Sequence, residues 1–315
     1  MLARLQQAIT LGLITLAFAW AVYFVQAGLP IRAIVGALLV ALGYVLFLAF
    51  EFILLAFVQE REPTARPRAP QLFGAWWGEV MTAPRVFCWR QPFRADAEPD
   101  LLTDAAGRRG IVFVHGFFCN RAFWNPWMSR LRAEGVPFVA VNLEPVFGSI
   151  SEYVPAIDAA VARLEGATGR APLIVAHSMG GLAVREWLHR VERGYLRVHH
   201  VITIGTPHHG TWIARWGRTL NGAEMRLKSP LVIRLAEAGT AKRHALFTCF
   251  YGNCDNIVFP ASTATLAGAD NRHLPGVAHV HMAFHATVFS EVWRLLKGTA
   301  QDAPTIPAFR FKGDA

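Results

Sequence analysis

Leu173-Ile174-Val175-Ala176-His177-Ser178-Met179-Gly180-Gly181-Leu182 passes from four apolar residues, through a serine, into a pair of glycines. Four consecutive apolar residues suit a short strand in the middle of a parallel sheet, where both faces are covered. The glycines permit a sharp turn and close packing of a following helix, which leaves Ser178 at the strand's carboxyl end. The stretch follows the nucleophile-elbow pattern G-x-S-x-G. Ala176 takes the first glycine's place, with a side chain small enough for the crowded turn.

The flanking sequence alternates in the same way. Residues 86–93 read as a strand and residues 95–109 as a polar loop, followed by an apolar strand at 111–114 that ends in His115-Gly116. A helix at 123–133 and a strand at 137–141 come next, and Tyr153, Ile157, Val161 and Leu164 mark one face of another helix. After the elbow, Val184, Leu188 and Val191 line a helix, and a strand at 201–204 runs into the G-T-P-H-H-G-T of residues 205–211. Strands and helices alternating at this spacing predict an α/β domain built on a mostly parallel sheet, with its site at the strands' carboxyl ends. Residues 212–243, with seven basic and two acidic residues among tryptophans and leucines, break the rhythm. They read equally as connecting helices or as a cap over the site.

A serine hydroxyl is a weak nucleophile at neutral pH, so it needs a base in reach and an acid to orient that base. In an elbow fold the acid and the histidine follow the nucleophile in the chain. Asp255 lies just past a strand at 247–251 and is the expected acid, with Asp270 as its rival in a connection. His279 precedes an apolar-faced helix carrying Val288, Phe289, Val292 and Leu296 and is the expected base. His281 and His285 stand close enough to replace it on a small register shift, and His273 is a weaker candidate. The oxyanion of an acyl-transfer intermediate needs two amide donors. Met179, after the serine, and Phe117, after His115-Gly116, are the expected sources.

The N-terminal region is of another kind. Residues 8–25 and 33–50 carry no charge, and each is long enough to cross a bilayer core as a helix. A cleavable signal peptide is the competing reading of the first stretch, but it exceeds a usual signal core and lacks a small-x-small cleavage site. A transmembrane helical hairpin over residues 1–58 is therefore expected. Arg4, Arg61, Arg66 and Arg68 flank its outer ends against Arg32 alone in the connection, which puts both ends in the cytoplasm. Glu51 is read as marking the membrane interface, in preference to a buried functional carboxylate.

Residues 59–84 read as a charged, proline-bearing linker followed by a helix with an apolar stripe, Leu72/Phe73, Trp76/Trp77 and Val80/Met81. That stripe suits either the domain or the membrane surface. A net charge of +9 suits anionic lipid, and no nucleic-acid module accompanies it. The four cysteines, Cys88, Cys119, Cys249 and Cys254, show no metal or disulfide spacing and fit reduced thiols in a cytosolic domain.

Taken together, A-H-S-M-G-G, H-G-F-F and G-T-P-H-H-G-T resemble the α/β-hydrolase superfamily, and within it the bacterial lipase and esterase group, over about residues 110–297. The resemblance implies an α/β-hydrolase fold at 85–298, with Ser178 as nucleophile, Asp255 as acid, His279 as base, and Phe117 and Met179 as oxyanion donors. His208 and His209 match the family string as structural residues. Some relatives bind calcium or zinc, but nothing in this sequence carries that over, and neither metal nor cofactor is expected.

Secreted lipases of this group lack a two-span hairpin. The expected protein is thus a hydrolase of carboxylic esters, lipid acyl esters above all, anchored in a bacterial inner membrane. An acyltransferase using the same acyl-enzyme and a catalytically silent membrane adaptor are the alternatives. Residues 299–315 read as a loosely ordered tail.

Overall fold

A computed structural model describes residues 1–59 and 66–297. The expected tail at 299–315 and part of the expected linker lie outside the described residues. The chain opens with two long helices, α1 (Leu2–Gln26) and α2 (Pro30–Gln59), joined by a tight turn at Gly28. Both are long and apolar enough to cross a membrane, and away from the seam between them their middle portions expose leucine, isoleucine, valine and phenylalanine. Helices apolar all round occur in protein cores and in lipid bilayers.

The third helix, α3 (Ala69–Pro84), crosses α2, with Tyr44 Oη donating to Val80 O (3.2 Å) and Trp76 Nε1 to Val45 O (3.3 Å). Its apolar stripe divides between two environments. Ala75 is buried against Cys254, Phe259 and Ala278 of the domain and Val80 is buried, whereas Phe73, Trp77 and Met81 remain exposed.

The expected strand at 86–93 is helical instead: α3 continues through Arg85–Arg90 as a wider π turn and then through Gln91–Phe93. Pro84 sits at φ −63°, a helical value, so nothing breaks the helix there. Val86 and Arg90 are buried while Trp89 and Phe93 are exposed, which is the spacing of a helix.

Six parallel strands follow: β1 (Ile111–Val114), β2 (Phe138–Ala140), β3 (Leu173–His177), β4 (His200–Ile204), β5 (Phe247–Tyr251) and β6 (Asp270–His273). Their order in the sheet is β2-β1-β3-β4-β5-β6. Side chains alternate between two cores. Val112, Val114, Ile174 and Ala176 face the helices at Val154–Thr168 and Met179–Arg190, while Ile111, Phe113, Leu173 and Val175 face those at Asn125–Ala133 and Ala286–Lys297.

β6 takes in Asp270, which the sequence placed in a connection. Its Asp-Asn-Arg-His run pairs only with β5 and stays largely exposed, so it carries no apolar signal. Strand order reverses between β1 and β3, and in such sheets a crevice forms at that switch point, beyond the carboxyl ends. His115-Gly116 and Ser178 emerge there side by side.

Residues 212–243 form short helices, among them Leu220–Glu224 and Pro230–Ala238, with Leu231, Val232 and Leu235 buried. Arg185 ties this segment to the helix after the elbow, donating to Leu235 O (2.7 Å). Glu224 accepts from Ser149 Oγ and Ile150 N (both 2.7 Å), which joins it to the loop after β2.

Candidate active site

Ser178 sits between β3 and its helix at φ 55° and ψ −130°, a conformation that costs an L-residue about 1–3 kcal/mol. The surroundings hold it there. Its N–H donates to Ile204 O (2.9 Å), and Thr206 Oγ1 donates to its carbonyl (2.9 Å). A Cβ at Gly180 would stand 2.5 Å from His115 O, so the elbow rests directly on the loop after β1.

Beyond β5, Asp255 is 1% exposed; its Oδ1 accepts the N–H groups of Ile257 (3.0 Å) and Val258 (2.8 Å). Its Oδ2 lies 2.9 Å from His279 Nδ1. A carboxylate on Nδ1–H leaves Nε2 as the basic nitrogen. Burial alone would pull the His279 pKa down. The Asp255 charge and hydrogen bond, with the charges of Glu79 and Glu51, outweigh it and raise the pKa above the ordinary imidazole value.

The pair packs over the end of β4, whose last carbonyl, on Ile204, accepts the Ser178 N–H. Gly205, at φ 55°, follows Ile204, and a Cβ there would lie 2.8 Å from Asp255 Oδ2 and 3.0 Å from His279 Nδ1. On the other side, the His177 ring stands 4.6 Å from that of His279, centroid to centroid, and its Nε2 donates to His279 O (3.1 Å). Burial, first of several causes, holds His177 well below the ordinary imidazole pKa, so it is neutral, and a carbonyl partner requires the proton on Nε2. Among the described residues the Ser178 hydroxyl makes no hydrogen bond. Such bonds commonly tighten only when substrate arrives.

The N–H groups of Phe117 and Met179 likewise have no acceptor among the described hydrogen bonds. His115 shapes the first of these loops. Its Nε2 accepts from Leu143 N (3.1 Å), so Nδ1 carries the proton and donates to Gly116 O (3.0 Å). Burial pushes its pKa down to about 4, which keeps it neutral.

The rival residues lie elsewhere. Asp270 pairs with Arg272, the His273 ring lies tilted against Tyr251, His281 lies against Gly78 of α3, and His285 accepts from Thr287 N at the start of the last helix. His208 is buried, with Nε2 3.0 Å from Thr203 Oγ1, and acts as a tie between β4 and the following loop.

A family model described as the alpha/beta hydrolase family matches residues 111–308. The chain belongs to this family. Among solved structures, this alpha/beta hydrolase is similar to the mature form of Bacillus licheniformis lipase BlEst2, at 19% identity and a TM-score of 0.53, over 60% of this chain and 92% of that one. It is also similar to Aspergillus fumigatus lipase B, at 17% identity and a TM-score of 0.52, over 58% of this chain and 51% of that one. Likeness at these identities concerns the fold. No curated protein matches the chain. The hairpin and α3 precede the stretch that the family model matches.

Three residues around the candidate site of this alpha/beta hydrolase went unnoticed in the sequence, His177, Asn256 and Glu79, and a fourth, Glu51, was noticed and given another place. The first two adjoin Ser178 and Asp255, so their position was a signal. Glu51 does not mark an interface as expected; it is 5% exposed and takes a hydrogen bond from Asn256 Nδ2 (2.7 Å). A lone carboxylate in an apolar helix is costly without a partner, and here the partner belongs to the domain.

Proposed function

We propose that this alpha/beta hydrolase is a membrane-anchored serine hydrolase that cleaves carboxylic esters of lipids through an acyl-enzyme. Ser178 attacks the ester carbonyl while His279 Nε2 takes its proton. Asp255 holds the imidazole tautomer and stabilises the imidazolium. The N–H groups of Met179 and Phe117 receive the oxyanion, and His279 returns the proton to the leaving alcohol. Water, deprotonated by the same imidazole, then releases the acid. The observation that carries this reading is the buried Asp255–His279 pair packed against Gly205, beside a strained serine whose hydroxyl is unengaged.

The lipid reading is supported by an aromatic cluster beside the proposed oxyanion loop. Phe117, Phe118 and Phe147 cluster with centroids 6.0–6.5 Å apart. The first turns of α1 lie against this cluster: Gln6 Nε2 donates to Phe118 O (3.2 Å), and the Met1 ammonium meets Glu144 (3.1 Å). Beyond that contact, residues 8–26 extend roughly 28 Å at 1.5 Å per residue, about a bilayer core. This apolar cluster thus lies at the foot of the hairpin, where an acyl chain would leave the membrane. Both ends of the hairpin and the catalytic domain share the cytoplasmic side by their arginine bias, and residues 212–243 border the site as a cap.

Product analysis tests this reading. Full-length protein in vesicles carrying a long-chain ester is expected to release free fatty acid, and Ser178→Ala to release none. Acyl groups recovered on an alcohol or amine with little free acid would instead make the chain a transferase. Equal turnover by Ser178→Ala would remove Ser178 as the nucleophile.

A further inference from the structure

Two carboxylates that the proposed chemistry does not use are buried behind its histidine. Glu79 of α3 is 2% exposed; its Oε1 accepts the N–H of Val280 and its Oε2 that of His281 (both 3.0 Å). Glu51 of α2 accepts from Asn256 Nδ2 (2.7 Å), while Asn256 Oδ1 accepts the N–H of His279 (3.2 Å). The amide orientation of Asn256 is settled by its partners, since a carboxylate only accepts and an N–H only donates. The three consecutive amides of residues 279–281 therefore all end on carboxylates from the N-terminal helices, two directly and one through a single side chain.

Packing alone does not explain these carboxylates. Phe52, Leu55, Ala75 and Ala278 form one apolar cluster where α2 and α3 meet the domain. An apolar residue at position 79 would fill such a site without the desolvation that a carboxylate suffers there. That desolvation pushes the Glu79 pKa up to about 7, against the two amides that favour its charge. The titratable groups around Glu79 are Glu51 from α2, Asp255 after β5, and His279 and His281 of the loop it holds.

We infer that Glu79 is a positioning residue for His279, with Glu51 its counterpart through Asn256, so that docking of the anchor helices on the domain sets the catalytic imidazole in place. The inference rests on the reading of Ser178 and His279 as nucleophile and base. By accepting both N–H groups, Glu79 fixes the backbone of the histidine loop. Where ionised, Glu79 and Glu51 also favour the imidazolium that forms when Ser178 loses its proton. Membrane anchor and active site are in this sense one unit.

The test uses the full-length protein in vesicles and the rate of fluorophosphonate labelling between pH 5 and 9. Glu79→Gln keeps the shape but turns an NH2 toward one amide donor and removes the charge. Labelling is expected to slow on the order of 10- to 100-fold, and its acid limb to move to lower pH as His279 loses a neighbouring charge. Glu79→Asp, which keeps the charge, is expected to slow labelling while leaving the limb in place. A folded Glu79→Gln protein with wild-type rate and limb would overturn the inference. Should that variant fail to fold, the same two readouts on Glu51→Gln decide it. Labelling that persists in Ser178→Ala would strike the underlying reading of the site, whereas Ser178-dependent labelling untouched by Glu79→Gln strikes this inference alone.

Discussion

Gly205→Ala places a single methyl group at the centre of the proposed machinery. Gly205 adopts φ 55°, where an L-residue is disfavoured by about 1–2 kcal/mol. The added carbon would stand 2.8 Å from Asp255 Oδ2, 3.0 Å from His279 Nδ1 and 3.2 Å from His279 Cε1. The contact with Asp255 Oδ2 is too close to persist, and those with the imidazole are tighter than ordinary contacts, so the hydrogen-bonded pair must shift as a unit. A displacement of about 1 Å in a reacting group lowers rates on the order of 100-fold. For a domain of this size the backbone strain lowers Tm by roughly 2–8 °C.

The assay pairs ester turnover with thermal unfolding of the same preparation. Activity is expected to fall about 100-fold in protein that remains folded at the assay temperature. Wild-type kcat/KM in folded Gly205→Ala protein would show that the Asp255–His279 pair is not what the reaction uses.

Asp255→Asn leaves the shape intact but presents the wrong partner to Nδ1–H; kcat is expected to fall roughly 10⁴-fold, read in a continuous ester assay. Because the His279 pKa is raised and the base must be neutral, activity should decline with falling pH through a midpoint above the ordinary imidazole value, seen in a kcat/KM profile.

Stability should also depend on pH through Glu79, whose folded pKa of about 7 exceeds its ordinary 4.5. The folded chain holds the extra proton between those values, so this contribution is present below pH 4.5 and is lost as pH rises through about 7, up to about 3 kcal/mol. Denaturant melts of wild type and Glu79→Gln should show a shallower decline in the variant. Trp77→Ala removes an exposed aromatic at the foot of the hairpin and should lower turnover of vesicle-borne ester roughly tenfold while sparing a soluble one.

The central sheet was legible because buried parallel strands are short continuous apolar runs set between helices of regular period. β5 falls on the expected residues 247–251, and β1 on residues 111–114. The elbow was legible because a strand, a serine and two glycines leave few other ways to turn. Asp255 and His279, chosen by chain order, come from the ends of two different strands and meet at 2.9 Å. Residues 86–93 misled because a short apolar run lacks the length to separate period two from period 3.6, and α3 continues into it without a break. β6 was invisible because an exposed edge strand needs no apolar face.

The part played by Glu51 and Glu79 could not be read from hydropathy. A carboxylate at the end of an apolar helix looks the same whether it meets headgroups or docks on a domain. Only the folded arrangement brings residue 51 to residue 256 and residue 79 to residues 280 and 281.

The central claim is that Ser178 becomes the site of acylation because His279 activates it. Mapping a fluorophosphonate adduct by peptide mass spectrometry, on wild type and on His279→Ala, tests it most directly. The adduct is expected on Ser178 in wild type and to be lost or greatly slowed in the variant. An adduct on another residue, or undiminished labelling of Ser178 without His279, would contradict the account.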